Sequence, residues 1–112
     1  MVIRGAVYQV DFGNAKRGHE QRGRRYALML SPSSVPWSVV TVVPTSTSAQ
    51  PAVFRPQIEV AGELTRFLVD QIRTVDVAYV HGDPVDYLER NELADVEHAV
   101  ARYLGIGDSV TQ

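Results

Sequence analysis

A mostly β domain, built as a small antiparallel sheet or partly closed barrel with one helix at its C-terminal end, is the fold this 112-residue chain predicts. Three observations lead there. Period-two alternation and short apolar runs fill the chain up to residue 80. Near the end the apolar spacing changes to three and four residues. No helical pattern separates the strands, so the βα alternation of a parallel sheet is missing and antiparallel strands with a helix against them remain. The length suits a single domain over residues 1–112, with a real core and no room for a second.

The first strand is AVYQVDF (6–12), where Tyr8, Val10 and Phe12 fall on one face and Gln9 and Asp11 on the other. YALMLS (26–31) and SVVTVVP (38–44) are nearly continuous apolar runs, too short for helices and, in the second case, too β-branched. PSSVPW marks the turn between them. QIEV (57–60) alternates and ends at the turn AGE, and RFLVDQIRTVDVAYV (66–80) supplies one or two more strands, broken near Asp70 to Thr74. Leu93, Val96, Ala99, Val100, Tyr103 and Leu104 then form one helical stripe. The helix spans about 90–104, with Gly105 as its C′ residue and Ile106 placed to fold back. Its start is open: Asp86 with Glu89 fits a capping box, and Asn91 fits an N-cap equally well. Residues 13–24 make a long connection between the first two strands, and loops of that length in a compact domain are usually functional or mobile.

Charge is unevenly spread. Residues 1 to 75 hold nine basic against five acidic side chains, and residues 76 to 112 hold two against eight. Four arginines crowd into RGHEQRGRRY (17–26). A basic body fits a polyanionic partner, and an acidic solvated helix explains the other half. Cysteine is absent, which excludes disulfides and thiolate metal sites and fits a reducing, cytoplasmic setting. No apolar run approaches the roughly 18 residues of a membrane helix, and MVIRGAVYQV has no signal-peptide h-region. His19, His81 and His98 have no ligand-like spacing, so neither a metal nor a cofactor is expected. His98 lies beside the helical stripe as a surface residue, and His81, in VHGDP, reads as a solvated turn residue.

His19 shares the basic segment with Glu20, Arg22, Arg24 and Arg25. Imidazole exchanges protons near neutral pH, and guanidinium forks match phosphate oxygens. Together they suit phosphodiester cleavage: one group takes the 2′-hydroxyl proton of RNA while fixed cations stabilise the phosphorane. VPTSTS (43–48) and VDQIRTVD (69–76) add polar groups past strand ends. Thr45 and Ser46 suit a phosphate or base edge, Asp70 a base, and Arg73 a phosphate contact. Asp70 and Arg73 are also close enough in sequence to pair with each other.

At this point the chain resembles the MazF/PemK (Kid-like) toxins of type II toxin–antitoxin pairs. The resemblance runs through RGAVYQVDF (4–12), GHEQRGRRYALMLS (18–31), VVPTS (42–46), VDQIRTVD (69–76) and ELADVEHAVARYLGI (92–106), five blocks in the family's order. It implies an SH3-like, CcdB-like β-barrel with a C-terminal helix, assembled as a homodimer. It also implies metal-independent, sequence-specific cleavage of single-stranded RNA to 2′,3′-cyclic phosphate and 5′-hydroxyl ends, which inhibits growth. A MazE/PemI-like antitoxin with an acidic tail is the implied partner. By resemblance, Arg25 stabilises the phosphorane, Thr45 binds the phosphate, His19 and Asp70 transfer protons, and Ser46, Gln71 and Arg73 line the RNA groove. Two positions depart from the family: Tyr26 stands where members have proline, and Leu68 where Kid-like members have an acid-serving arginine. The alternatives are a CcdB-like gyrase poison and a non-catalytic SH3-like interaction module.

Overall fold

The computed structural model describes residues 2–13, 23–34 and 38–107. His19, Glu20, Arg22 and most of the basic segment lie outside the described residues. Seven strands, β1 (Ala6–Asp11), β2 (Arg24–Met29), β3 (Val39–Ser46), β4 (Gln57–Val60), β5 (Glu63–Phe67), β6 (Arg73–Asp76) and β7 (Val80–Tyr87), precede one helix, α1 (Arg90–Leu104). All pairings are antiparallel, in the order β4-β5-β3-β2-β1-β7 with β6 also on β3. The expected mostly β architecture is therefore present, as an antiparallel half-barrel with a C-terminal helix.

The half-barrel arises at β3. On one edge its residues 42–44 pair with β2. On the other edge Val39–Val42 pair with β6, whereas Thr45 and Ser46 pair with β5. Between β5 and β6 a 3-10 turn at Val69–Gln71 breaks what is otherwise one long strand. The two faces of the sheet cover different clusters. Ala6, Tyr8, Val10 and Phe12 of β1 and its end join Ala27, Met29, Val40, Val42 and Val75 in one cluster. Val7, Leu28 and Val43, from the alternate positions, join Phe67, Ile58, Val60 and the helix residues Val96 and Ala99 in the other. Burial on both faces explains why β2 and β3 are near-continuous apolar runs rather than alternating ones.

The β4–β5 hairpin turns on Ala61 and Gly62, both left-handed (φ 48° and 87°), the geometry a two-residue hairpin of the right twist needs. Asp86 Oδ2 accepts the Ala61 N–H at 2.8 Å and pins this strained residue. Asp86 is thus not the helix cap. Glu92 Oε1 accepts the Glu89 N–H at 2.9 Å, so the capping box sits one turn later than Asp86–Glu89, and Asn91 lies inside the helix. Gly105 is left-handed as expected (φ 69°), and the Ile106 N–H reaches back to Ala101 at 2.8 Å, but the Ile106 side chain stays 56% exposed. VHGDP is strand rather than turn. The register shifts by three residues between Val7/Asp86 and Gln9/His81, so the four residues Gly82 to Val85 stand opposite Tyr8 alone and β7 bulges there. His81 is consequently half-buried, with its Nε2 buried and without a hydrogen-bond partner among the described residues. No described helix is long and apolar enough to cross a membrane.

Candidate active site

Where β2 begins and β3 ends, the sheet opens onto a groove of about 260 Å³ lined by Gln9, Arg24, Arg25, Tyr26, Thr45, Ser46, Thr47 and Glu63. Antiparallel pairing makes this junction. β1 holds β2 in register, with Asp11 across from Arg24, Val10 from Arg25 and Gln9 from Tyr26. β3 holds β2 through Ala27 and Pro44, one residue short of Tyr26 and Thr45. A side chain completes that last step: Thr45 Oγ1 donates to the Tyr26 carbonyl at 2.7 Å. Thr45 is only 4% exposed, so its hydroxyl is fixed rather than solvated. Ser46, 7% exposed, accepts the Ser48 N–H on Oγ at 3.1 Å, which shapes the strand end into a turn.

Of the expected site residues, Arg24, Arg25, Thr45 and Ser46 share this groove. Arg24 and Arg25 are exposed, on opposite faces of β2 by strand alternation. Tyr26, in the family's proline position, is an ordinary strand residue, 38% exposed, that lines the groove. Asp70 and Arg73 do not line it and do not pair with each other. Arg73 starts β6 across from Val42, with its guanidinium carbon 5.0 Å over the Phe12 ring. Gln71 closes the 3-10 turn and is half-buried. Leu68 is fully buried and donates its N–H to Pro44, so this position presents nothing to the surface.

Asp70 is bound on both oxygens by Arg55: Nε to Oδ1 at 3.1 Å and Nη2 to Oδ2 at 2.9 Å. The Arg55 hydrogen bonds hold the Asp70 carboxyl below the usual aspartate range, more strongly than burial raises it. Tyr103 of α1 donates to the Asp70 carbonyl at 3.3 Å and packs edge-on against Phe54 at 5.2 Å. The Asp70 segment therefore ties the 3-10 turn to the helix and to the 50–56 loop. A lowered carboxyl contributes stability above its unfolded pKa, and that contribution disappears as pH falls through the folded value. Asp70→Asn accordingly costs about 1 kcal/mol at pH 7. The difference from the parent chain shrinks below about pH 4, checked by urea denaturation at pH 7 and pH 3; a pH-independent difference would deny the ion pair this role.

Sequence spacing did not reveal Gln9, Thr47, Glu63 or Arg55. Thr47 sits inside the VPTSTS run and was within reach of it. Gln9 and Glu63 arrive through β1–β2 and β3–β5 pairing, and Arg55 meets Asp70 from 15 residues away, so no local pattern marks them. Among the described residues, no group of three or more His, Asp or Glu side chains is arranged to hold a metal ion.

The comparison with known proteins agrees with this architecture. Residues 3–104 match the family described as the PemK-like, MazF-like toxin of type II toxin–antitoxin system. A curated Mycobacterium tuberculosis (strain ATCC 25618 / H37Rv) protein named "Putative toxin Rv3098A/RVBD_3098A" is 79% identical over 106 residues, spanning 95% of this chain and 100% of that one. The crystal structure of MazF (Form-I) from Deinococcus radiodurans superposes with a TM-score of 0.80 at 25% identity, covering 92% of this chain and 96% of MazF. An endoribonuclease from a mycobacterial species, in complex with its cognate antitoxin, superposes with a TM-score of 0.76 at 19% identity, covering 96% and 98%. The chain belongs to the PemK-like, MazF-like family of type II toxin–antitoxin toxins.

Proposed function

We propose that the chain is an endoribonuclease that cuts single-stranded RNA without a metal, and that its groove at the β2–β3 junction is the active site. That Arg24, Arg25, Thr45 and Ser46 all line one groove carries this reading. In the reaction the 2′-hydroxyl loses its proton to a base, its oxygen bonds to phosphorus, and the P–O5′ bond breaks. The products are a 2′,3′-cyclic phosphate and a 5′-hydroxyl. Arg25 offers a forked cation to the equatorial oxygens as charge builds on them. Thr45 has one hydroxyl hydrogen, held by Tyr26 in the free chain; donating it to phosphate exchanges a neutral hydrogen bond for a charge-assisted one.

His19 is the base in this mechanism, being the imidazole of the basic segment that leads into Arg24 and Arg25. Asp70 is left out: a carboxylate gripped by a guanidinium on both oxygens is a weak base. The departing 5′-oxygen takes its proton from solvent, since Leu68 is sealed in the core. Arg22, Glu20, Ser46, Gln71 and Arg73 bind RNA around this centre. The chain acts as a homodimer and is restrained by an antitoxin whose acidic segment competes for the basic groove. The mycobacterial fold neighbour, seen with its cognate antitoxin, supports that partnership.

The test is cleavage of a long mixed-sequence RNA by the purified chain with a chelator present, with product ends mapped. Discrete cuts bearing 5′-hydroxyl ends are expected. Thr45→Val lowers the single-turnover rate about tenfold to a hundredfold, whereas Thr45→Ser keeps most of it, because serine retains the hydroxyl. RNA left intact by a folded chain would overturn the assignment.

A further inference from the structure

Beside the β2–β3 groove lies a second cleft of about 340 Å³, whose walls include Asp11, Phe12, Arg73, Thr74, Asp76 and Tyr79. Its chemistry is unlike that of the groove. Phe12 is only 8% exposed and forms a fixed floor, over which the Arg73 guanidinium sits at 5.0 Å from the ring centre. Tyr79, 52% exposed, adds an aromatic wall. Stacked guanidinium and aromatic surfaces are what splayed-out bases of single-stranded RNA stack on.

Two carboxylates set the polarity. Asp11 Oδ1 accepts the Gly13 N–H at 2.8 Å, and Asp76 Oδ1 accepts the Ala78 N–H at 2.8 Å. Each carboxylate is thereby oriented, and neither Oδ2 has a protein donor among the described residues. Among the described residues lining the cleft, two carboxylates stand against one guanidinium, a balance that disfavours phosphate inside it. A wholly apolar ligand would leave both acceptors unmatched. The cleft therefore wants a flat ring with adjacent donors on its edge. Guanine has them, N1–H beside the N2 amino group. Adenine and cytosine set a ring-nitrogen acceptor next to their amino donor, and uracil flanks its one N–H with two carbonyls. The clefts are also neighbours, because Asp11 of one stands directly across the β1–β2 ladder from Arg24 of the other. The Cα atoms of that pair stand about 5 Å apart, as antiparallel partners do, so one RNA strand can pass from the groove to the cleft.

We propose that this second cleft is a nucleobase subsite selective for guanine, reading one base of the RNA that enters the Arg25–Thr45 groove. It rests on RNA being that groove's substrate. The test is equilibrium binding, by fluorescence anisotropy, of 2′-fluoro heptanucleotides, which lack the attacking hydroxyl and stay intact. They are pyrimidine-only except for a central guanosine, inosine or adenosine. Guanosine binds about tenfold tighter than the other two, since inosine lacks the amino donor and adenosine misplaces an acceptor. Asp76→Asn keeps an oxygen for the Ala78 N–H, so the local fold survives, and it brings the three oligomers within about twofold of one another. Equal affinities on the parent chain, or a guanosine preference untouched by Asp76→Asn, would overturn the subsite while leaving ribonuclease activity standing. Failure of all three to bind, with long RNA uncut, would overturn the RNA assignment and the subsite with it.

Discussion

Arg25→Ala lowers the rate of RNA cleavage by about 10²–10³-fold, the usual cost of removing one group that stabilises charge in a transition state. The side chain is exposed near the start of β2, so the loss of folding stability stays at about 1 kcal/mol or less, the scale of an exposed polar contact. Arg25→Lys recovers only part of the rate, because an ammonium supplies charge without the planar fork that matches two phosphate oxygens. Single-turnover assays with chelator present, run beside thermal denaturation, separate lost chemistry from lost fold. An alanine variant that cuts RNA as fast as the parent chain would remove Arg25 from the mechanism. A variant that no longer cuts RNA but still arrests growth would redirect the toxic effect to a protein target, the CcdB-like alternative.

The parts of this molecule written in local pattern could be read before any coordinates. QIEV is a strand from Gln57 to Val60, and Leu93, Val96, Ala99 and Val100 of the helical stripe pack on the core, whereas Tyr103 and Leu104 at its end stay exposed. Tyr8, Val10 and Phe12 do share one face. What long-range pairing creates was hidden. Gly82, Asp83 and Pro84 carry turn chemistry, yet they bulge from β7 because β1 holds the strand on either side of them. Glu63 enters the groove only when β5 pairs with the end of β3, and Asp70 pairs with Arg55 rather than Arg73 because the 3-10 turn carries it toward the 50–56 loop. The candidate groove was legible in part: Arg24, Arg25, Thr45 and Ser46 stand out as polar residues flanking apolar strands, whereas Gln9 and Glu63 look like ordinary surface residues until the sheet is assembled.

Phe67→Ala has the largest expected effect on stability, and it reaches the site as well. Phe67 is fully buried between β3 and the helix-side cluster that includes Val43 and Val96. Its N–H donates to Pro56 at 2.9 Å, and it stands directly across from Thr45. Truncation removes the ring and leaves a cavity at the seam where β5 meets β3, at a cost of about 3–5 kcal/mol. Against a total of about 5–15 kcal/mol for a domain of this kind, that leaves a marginal fold. The seam also holds Thr45 in register, so its hydroxyl loses its fixed place beside Tyr26. Cleavage per folded molecule should therefore fall at temperatures well below the new melting point. Val40→Ala provides the contrast: it loosens the other cluster, away from the β3–β5 seam, by about 2 kcal/mol. Its cleavage per folded molecule should match that of the parent chain. Stability and single-turnover rate measured on both variants decide the matter. Equal rates per folded molecule in the two would mean that Thr45 keeps its position without Phe67, and that the tie between core and groove runs through β2 alone.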